Sequence, residues 1–154
     1  AAGLLVLGGI VRRTQPSQSG SSEWIVNERI NTSLARIAEA LTDQDPHVQV
    51  YAVYAMGSAG PRAADYIAQL AGILEDRRSH LLATAVKAFG NIGQEAAQHA
   101  GKVAALLEDE RMPVRHNAAE ALGAMGAEEY VTQLVGRLRD PSCDVRGAAA
   151  MALG

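Results

Sequence analysis

The chain has 154 residues, 48% of them hydrophobic and 20% charged, enough for one packed domain and too apolar for global disorder. With 29 alanines, 15 glycines and only 4% aromatics, the composition favours helices in close approach over stacked sheets. A formal net charge of -3 argues against a general nucleic-acid binder, and a single cysteine, Cys143, excludes an internal disulfide and a Cys-rich zinc site.

In chain order, the first element is the apolar run Ala1 to Val11, followed by Arg12-Arg13. It is too short to span a bilayer as a helix, which takes about 20 residues. Charge after the apolar run also reverses the order found in a signal peptide. Three readings of residues 1–13 stand side by side: an apolar anchor buried in a partner, the end of a membrane helix whose start is missing, or a processing remnant. Membrane association is expected only through this segment. Thr14 to Ser22, polar with Pro16 and Gly20, reads as a flexible linker over residues 14–22.

A repeat organises the remainder. Leu41, Leu74, Leu107 and Leu138 are spaced by 33, 33 and 31 residues, and Asp43, Asp76, Asp109 and Asp140 keep the same steps. So do Val48, Leu81, Val114 and Val145, and alanines at 52, 85, 118 and 149 and at 55, 88, 121 and 152. Gly57, Gly90, Gly123 and Gly154 follow, then Gly60, Gly93 and Gly126. The predicted repeats are about 23–59, 60–92, 93–125 and 126–154. Each reads as two helices. Ile67, Leu70 and Leu74 have helical spacing in a first helix, and Val114, Ala118 and Leu122 have it in a second. Between them lies a short acidic turn whose aspartates can cap the following helix. One such pair cannot bury its own apolar face, so the pairs must stack. The expected fold is an all-α solenoid of stacked helix pairs over residues 23–154. Trp24 is expected to cap the N-terminal end of the stack.

The segment Asp109 to Gly126 (DERMPVRHNAAEALGAMG) resembles a HEAT repeat, and Asp140-Pro141 with Asp144 to Gly154 resembles it again. The subtype is similar to the short, alanine-rich form also found in bilin-lyase-like proteins. The resemblance, from about Glu23 to Gly154, is specific for fold and weak for activity. It implies that the second helices line a concave side. It also implies a ladder between repeats, made by turn aspartates (Asp43, Asp76, Asp109, Asp140) and arginines early in the second helix. Arg115 and Arg146 match those arginines; Gln49 and Leu82 stand in their place in the first two repeats, which are therefore expected to lean on apolar packing. HEAT-type di-iron hydroxylases need His-Glu pairs, and this sequence has none.

Three columns of second-helix positions are expected to face outward: Val50, Ala83, His116, Gly147; Val53, Val86, Ala119, Ala150; and Tyr54, Lys87, Glu120, Met151. Val50, Val53, Tyr54 and Val86 are expected to form an apolar strip, which marks a contact site or a surface covered by the chain's own N-terminal segment. With Lys87, His116 and Glu120 they make the predicted partner-binding set. The acidic turn residues read as helix caps before they read as a site for a basic partner.

No catalytic constellation emerges. His47, His80, His99 and His116 lack the spacing and company of metal ligands. Cys143 lacks a base that would activate it. The glycines close helices and open no phosphate loop. The sequence therefore predicts a non-catalytic scaffold or accessory subunit without cofactor, whose partners are other protein subunits. It is expected to bind through the concave face, the N-terminal segment and the core-type surface of the last repeat (Val145, Ala149, Ala152, Leu153). That surface calls for further repeats or for a covering protein. The alternative is a bilin-lyase-like subunit holding a linear tetrapyrrole among Tyr54, Lys87, His116 and Glu120. The sequence assigns no compartment; cytoplasm and organelles, plastids included, are equally compatible.

Overall fold

The computed structural model describes residues 21–154, and the apolar segment 1–13 lies outside them. Among the described residues there are eight α-helices, short 3-10 turns and no strand. The chain falls into two bodies that divide between Thr32 and Ser33. In the first, residues 21–32 form the opening turns of helix α1 (Ser21–Ala40), on which Trp24, Ile25 and Val26 are exposed. The linker expected over 14–22 is therefore shorter at its C-terminal end: Ser21 and Ser22 are already helical.

The second body, residues 33–154, is the repeat array. It contains the end of α1, then α2 (Pro46–Ser58), α3 (Ile67–Glu75), α4 (Leu82–Ile92), α5 (Ala100–Ala104), α6 (Met112–Met125), α7 (Val131–Arg137) and α8 (Cys143–Leu153). The second helices form one layer, in which α2 packs on α4, α4 on α6 and α6 on α8. The first helices lie against them, α3 on α4, α5 on α6 and α7 on α8. This is an all-α solenoid built of stacked helix pairs. The first helices start earlier than apolar spacing alone suggests. Seven-residue 3-10 segments, Gly60–Tyr66 and Gly93–His99, lead into α3 and α5. The fourth repeat, shorter in sequence, has only Glu128–Tyr130 at that place.

Local chemistry sets these bounds. Asp45 caps α2 by accepting the His47 N–H, with Pro46 in the first turn where its missing N–H costs nothing. Ser142 caps α8 through the Asp144 N–H. At the end of α6, Gly126 takes a left-handed conformation (φ 65°, ψ 34°). The Ala127 N–H then reaches the Leu122 carbonyl at 3.1 Å and the Gly126 N–H the Gly123 carbonyl at 3.0 Å, a paired closure that suits glycine best.

The two glycine columns do different work. Gly60, Gly93 and Gly126 all have positive φ. Gly57, Gly90 and Gly123 are instead contact points between repeats: a Cβ at Gly123 would lie 2.8 Å from Ala152 Cα, and one at Gly57 equally close to Ala88 Cα. Glycine against alanine lets successive second helices approach at backbone distance. Around these contacts the core is filled by Met56, Phe89 and Leu122 from the second helices and by Leu70, Val103 and Leu134 from the first. On α7 and just after it, the positions equivalent to the buried Ile67, Ala71 and Leu74 are Val131, Val135 and Leu138, and all three are exposed.

Candidate protein-interaction surface and the ladder beside it

The three expected columns have three different environments. Tyr54, Lys87, Glu120 and Met151 are all exposed, with Tyr54 at 60% and Met151 at 81%. Together with Ser58, Asn91 and Ala124 one turn later, they form the open ridge of the second-helix layer. Val50, Ala83 and His116 are half-buried, and Gly147 is exposed. Val53, Val86 and Ala119 are fully buried. The predicted apolar strip is thus corrected at Val53 and Val86, which belong to the core. Each inner second helix is covered by its own first helix and by the second helices before and after it, which leaves a narrow wedge for water. The sequence held the signal for this: the column with Lys87 and Glu120 carries charge, whereas the column through Val53, Val86, Ala119 and Ala150 carries none.

On the ridge, His116 Nε2 lies 3.4 Å from Glu120 Oε1, and His116 Nδ1 is 3.1 Å from the Asp144 carbonyl in the next repeat. Asn117 Nδ2 donates to the Ala83 carbonyl at 2.7 Å, tying α6 to α4. The recess beside Tyr54 and Lys87 holds only about 10 Å³, and a separate one beside Glu120 and Met151 about 230 Å³. Larger grooves lie between first helices. One of about 530 Å³ runs along Leu41, Gln69 and Ile73, and one of about 480 Å³ along Leu107, Tyr130 and Arg137. No group of three or more His, Cys, Asp or Glu placed to hold a metal ion occurs among the described residues.

The ladder occupies the inter-helix turns. All four repeat aspartates make the same local bond: Asp43, Asp76, Asp109 and Asp140 each accept the backbone N–H two residues on, at 2.8 to 3.0 Å. They differ in what else reaches them. Asp140 is buried, and Arg115 donates to it from Nε at 2.9 Å and from Nη2 at 3.1 Å. These bonds, chiefly the side-chain hydrogen bond from Arg115, hold the Asp140 carboxyl below the usual carboxylate range against the opposing effect of burial. Arg115 Nη1 also donates to the carbonyls of Asp109 and Glu110, and Arg146 Nη1 repeats this on Asp140 and Pro141.

Where arginine is missing, the outcome differs by repeat. Gln49 Nε2 donates to the Asp43 carbonyl at 2.7 Å, so glutamine keeps the bond within its own turn. Leu82 is fully buried in the core. Beside this apolar packing, a set of polar contacts is made from the turns. Arg111 binds both oxygens of Asp109, from Nε at 2.8 Å and Nη2 at 3.0 Å, and its Nη2 also donates to the Arg77 carbonyl. Arg77 Nη2 donates to the Ala105 carbonyl, and its Nη1 lies 3.7 Å from Asp109. Arg111 is the main cause of a lowered Asp109 pKa. These arginines flank the acidic turns in the sequence, but they fall outside the ladder position.

The comparisons with known proteins agree with this geometry. Residues 97–154 match the family model for HEAT repeats. Among curated proteins nothing matches. Among solved structures the chain is similar to an engineered protein whose crystal structure came from the Northeast Structural Genomics Consortium. The two share 21% identity with a TM-score of 0.63, over 78% of this chain and 60% of that one. This chain therefore spans less than two thirds of that structure's length, and the likeness bears on fold alone. Residues 97–154 thus carry HEAT-like repeats, a repeat type that in general serves protein interaction, and the helix pairs before them continue the same solenoid.

Proposed function

We propose that this chain is a non-catalytic scaffold or accessory subunit that holds another protein along the open ridge of its second helices. The observation that carries this reading is the exposure of Tyr54 and Met151 at the two ends of the ridge, with Lys87 and Glu120 between them. Aromatic and methionine side chains are enriched where proteins meet, and a central pair of opposite charges sets register. Val50 and His116 flank the ridge as half-buried supports. Val53 and Val86 act from beneath by fixing the helices that carry it. The alternative of a tetrapyrrole holder is less well supported, because the recess beside Tyr54 and Lys87 holds only about 10 Å³.

The test is affinity capture from native extract with the full chain, with the variants Tyr54→Asp and Met151→Asp, and with Val135→Asp on an exposed face of α7. A partner retained by the parent and by Val135→Asp but lost with both ridge variants supports the reading. A partner retained by both ridge variants removes the ridge as the site.

A further inference from the structure

His116 and Glu120 stand one turn apart on α6, on the ridge side of the array. His116 Nδ1 lies 3.1 Å from the Asp144 carbonyl. A carbonyl oxygen only accepts, so in the neutral imidazole Nδ1 carries the hydrogen and Nε2 keeps a lone pair. That Nε2 lies 3.4 Å from Glu120 Oε1, which is also an acceptor. The contact from the next repeat thus holds the ring with two acceptors turned toward each other and no hydrogen between them. The Glu120 side chain is 46% exposed and that of His116 is 32% exposed, so a donor can reach both from solvent. A donor that satisfies a carboxylate and an imidazole nitrogen together is a cation with several N–H groups, an ammonium or a guanidinium.

The surroundings narrow the choice further. Between α6 and α8, which pack on each other, lies the recess of about 230 Å³, walled by Gly123, Ala124, Ala148, Met151 and Ala152 with Glu120 at its rim. A water takes about 30 Å³ of the liquid, so this recess has room for an aliphatic side chain. The equivalent recess between α2 and α4 holds about 10 Å³, and there Tyr54 and Thr84 stand in place of Glu120 and Ala148. Lys87, in the column of Glu120 one repeat earlier, is exposed and favours a carboxylate over a second cation. Packed helices lie about 8–10 Å apart, a step that an extended chain covers in about three residues.

We propose that the ridge recognises an extended segment of its protein partner by a lysine or arginine that donates to both His116 Nε2 and Glu120 Oε1. An aliphatic side chain next to that residue fills the recess between α6 and α8, and a carboxylate about three residues away sits over Lys87. The proposal rests on the ridge reading above and specifies the chemistry of what occupies it. The charged contacts set register along the ridge, and the aliphatic contact adds apolar burial beside them.

Selection of phage-displayed random dodecapeptides on the full chain tests this. The expected result is enrichment of peptides that carry Lys or Arg beside Val, Ile or Leu, with Asp or Glu about three residues away. A synthetic peptide of that sequence is expected to bind Glu120→Gln about tenfold or more weakly than the parent. Selection on Lys87→Glu is expected to replace the acidic residue with a second basic one. Both side chains are exposed, so helical circular dichroism is expected to stay unchanged. Enriched peptides that lack the basic residue, or that bind Glu120→Gln as well as the parent, overturn the proposal. If Tyr54→Asp still abolishes their binding, the ridge reading stands without it; if they ignore Tyr54→Asp as well, both fall. A selection that enriches no peptide also overturns the proposal, and leaves the ridge to be judged by its own capture experiment.

Discussion

Arg115 grips both oxygens of Asp140, at 2.9 and 3.1 Å, across the boundary between the third and fourth repeats. The Asp140 side chain is 1% exposed and that of Arg115 is 14% exposed, so this pair works largely out of water. The same arginine also anchors its own turn. One side chain therefore fixes both the shape of a repeat and its spacing to the next.

Removing one partner should show this directly. Arg115→Gln leaves the Asp140 carboxylate buried without its main donor and is expected to destabilise the chain by about 3 kcal/mol. Urea unfolding at neutral pH measures it. The double variant with Asp140→Asn is expected to lose clearly less than the sum of the single losses, because the two groups share one interaction. Additive losses would mean that the pair does not couple the repeats.

Two glycine-to-alanine changes are expected to have opposite signs. At Gly123 the new methyl would lie 2.8 Å from Ala152 Cα, so the helices must separate, at a cost of about 1–3 kcal/mol. At Gly147 the space is open and the residue is helical, so the isolated chain should gain about 0.5–1 kcal/mol. Thermal unfolding of the two variants side by side separates them.

Gln49 holds its own turn but is too short to act as Arg115 does. Gln49→Arg is expected to keep the bond to the Asp43 carbonyl and to reach Asp76 in the second repeat, an exposed residue whose carboxylate accepts the Arg78 N–H. The expected gain is about 0.5–1 kcal/mol, reduced by salt because the pair is exposed. Denaturant midpoints at low and high ionic strength check both statements.

The pH dependence follows from three groups. The carboxyls of Asp109 and Asp140 are held below their usual range by hydrogen bonds from Arg111 and Arg115. Depressed carboxyl pKa values stabilise the fold above the ordinary carboxylate value of about 4, and the contribution is lost as pH falls through the lower folded values. His99 is lowered by burial and secondarily by Lys102. Its neutral ring, edge-on to Phe89 with centroids 5.7 Å apart, contributes fully above about pH 6.5 and less as pH falls toward its folded value. Stability is thus expected to be flat above neutrality, to decline slightly into mild acid and to fall steeply below about pH 4. Arg115→Gln should blunt the steep limb, which urea midpoints across the pH range would reveal.

The solenoid was legible because four copies of one pattern share positions for leucine, aspartate, alanine and glycine. Repeat spacing cannot say which side of a second helix meets its neighbour. Val53 and Val86 were expected at the surface because a helix in a simple pair has a wide open face; here the layer closes both flanks. The ladder showed itself at Arg115 and Arg146, where arginine holds a fixed place. The Arg77–Asp109–Arg111 cluster did not, because it joins side chains from neighbouring turns that share no repeat position. The leading 3-10 segments were hidden too, since their few apolar residues follow no α-helical period.

The central claim is that the second-helix ridge is where a protein partner sits. Photo-crosslinking from a benzoylphenylalanine placed in turn at Tyr54, Lys87 and Glu120, with Gln69 and Lys102 on the first helices as comparison sites, tests it most directly. The account predicts adducts with one and the same partner from the three ridge positions and none from the other two. Adducts confined to Gln69 and Lys102 would contradict it.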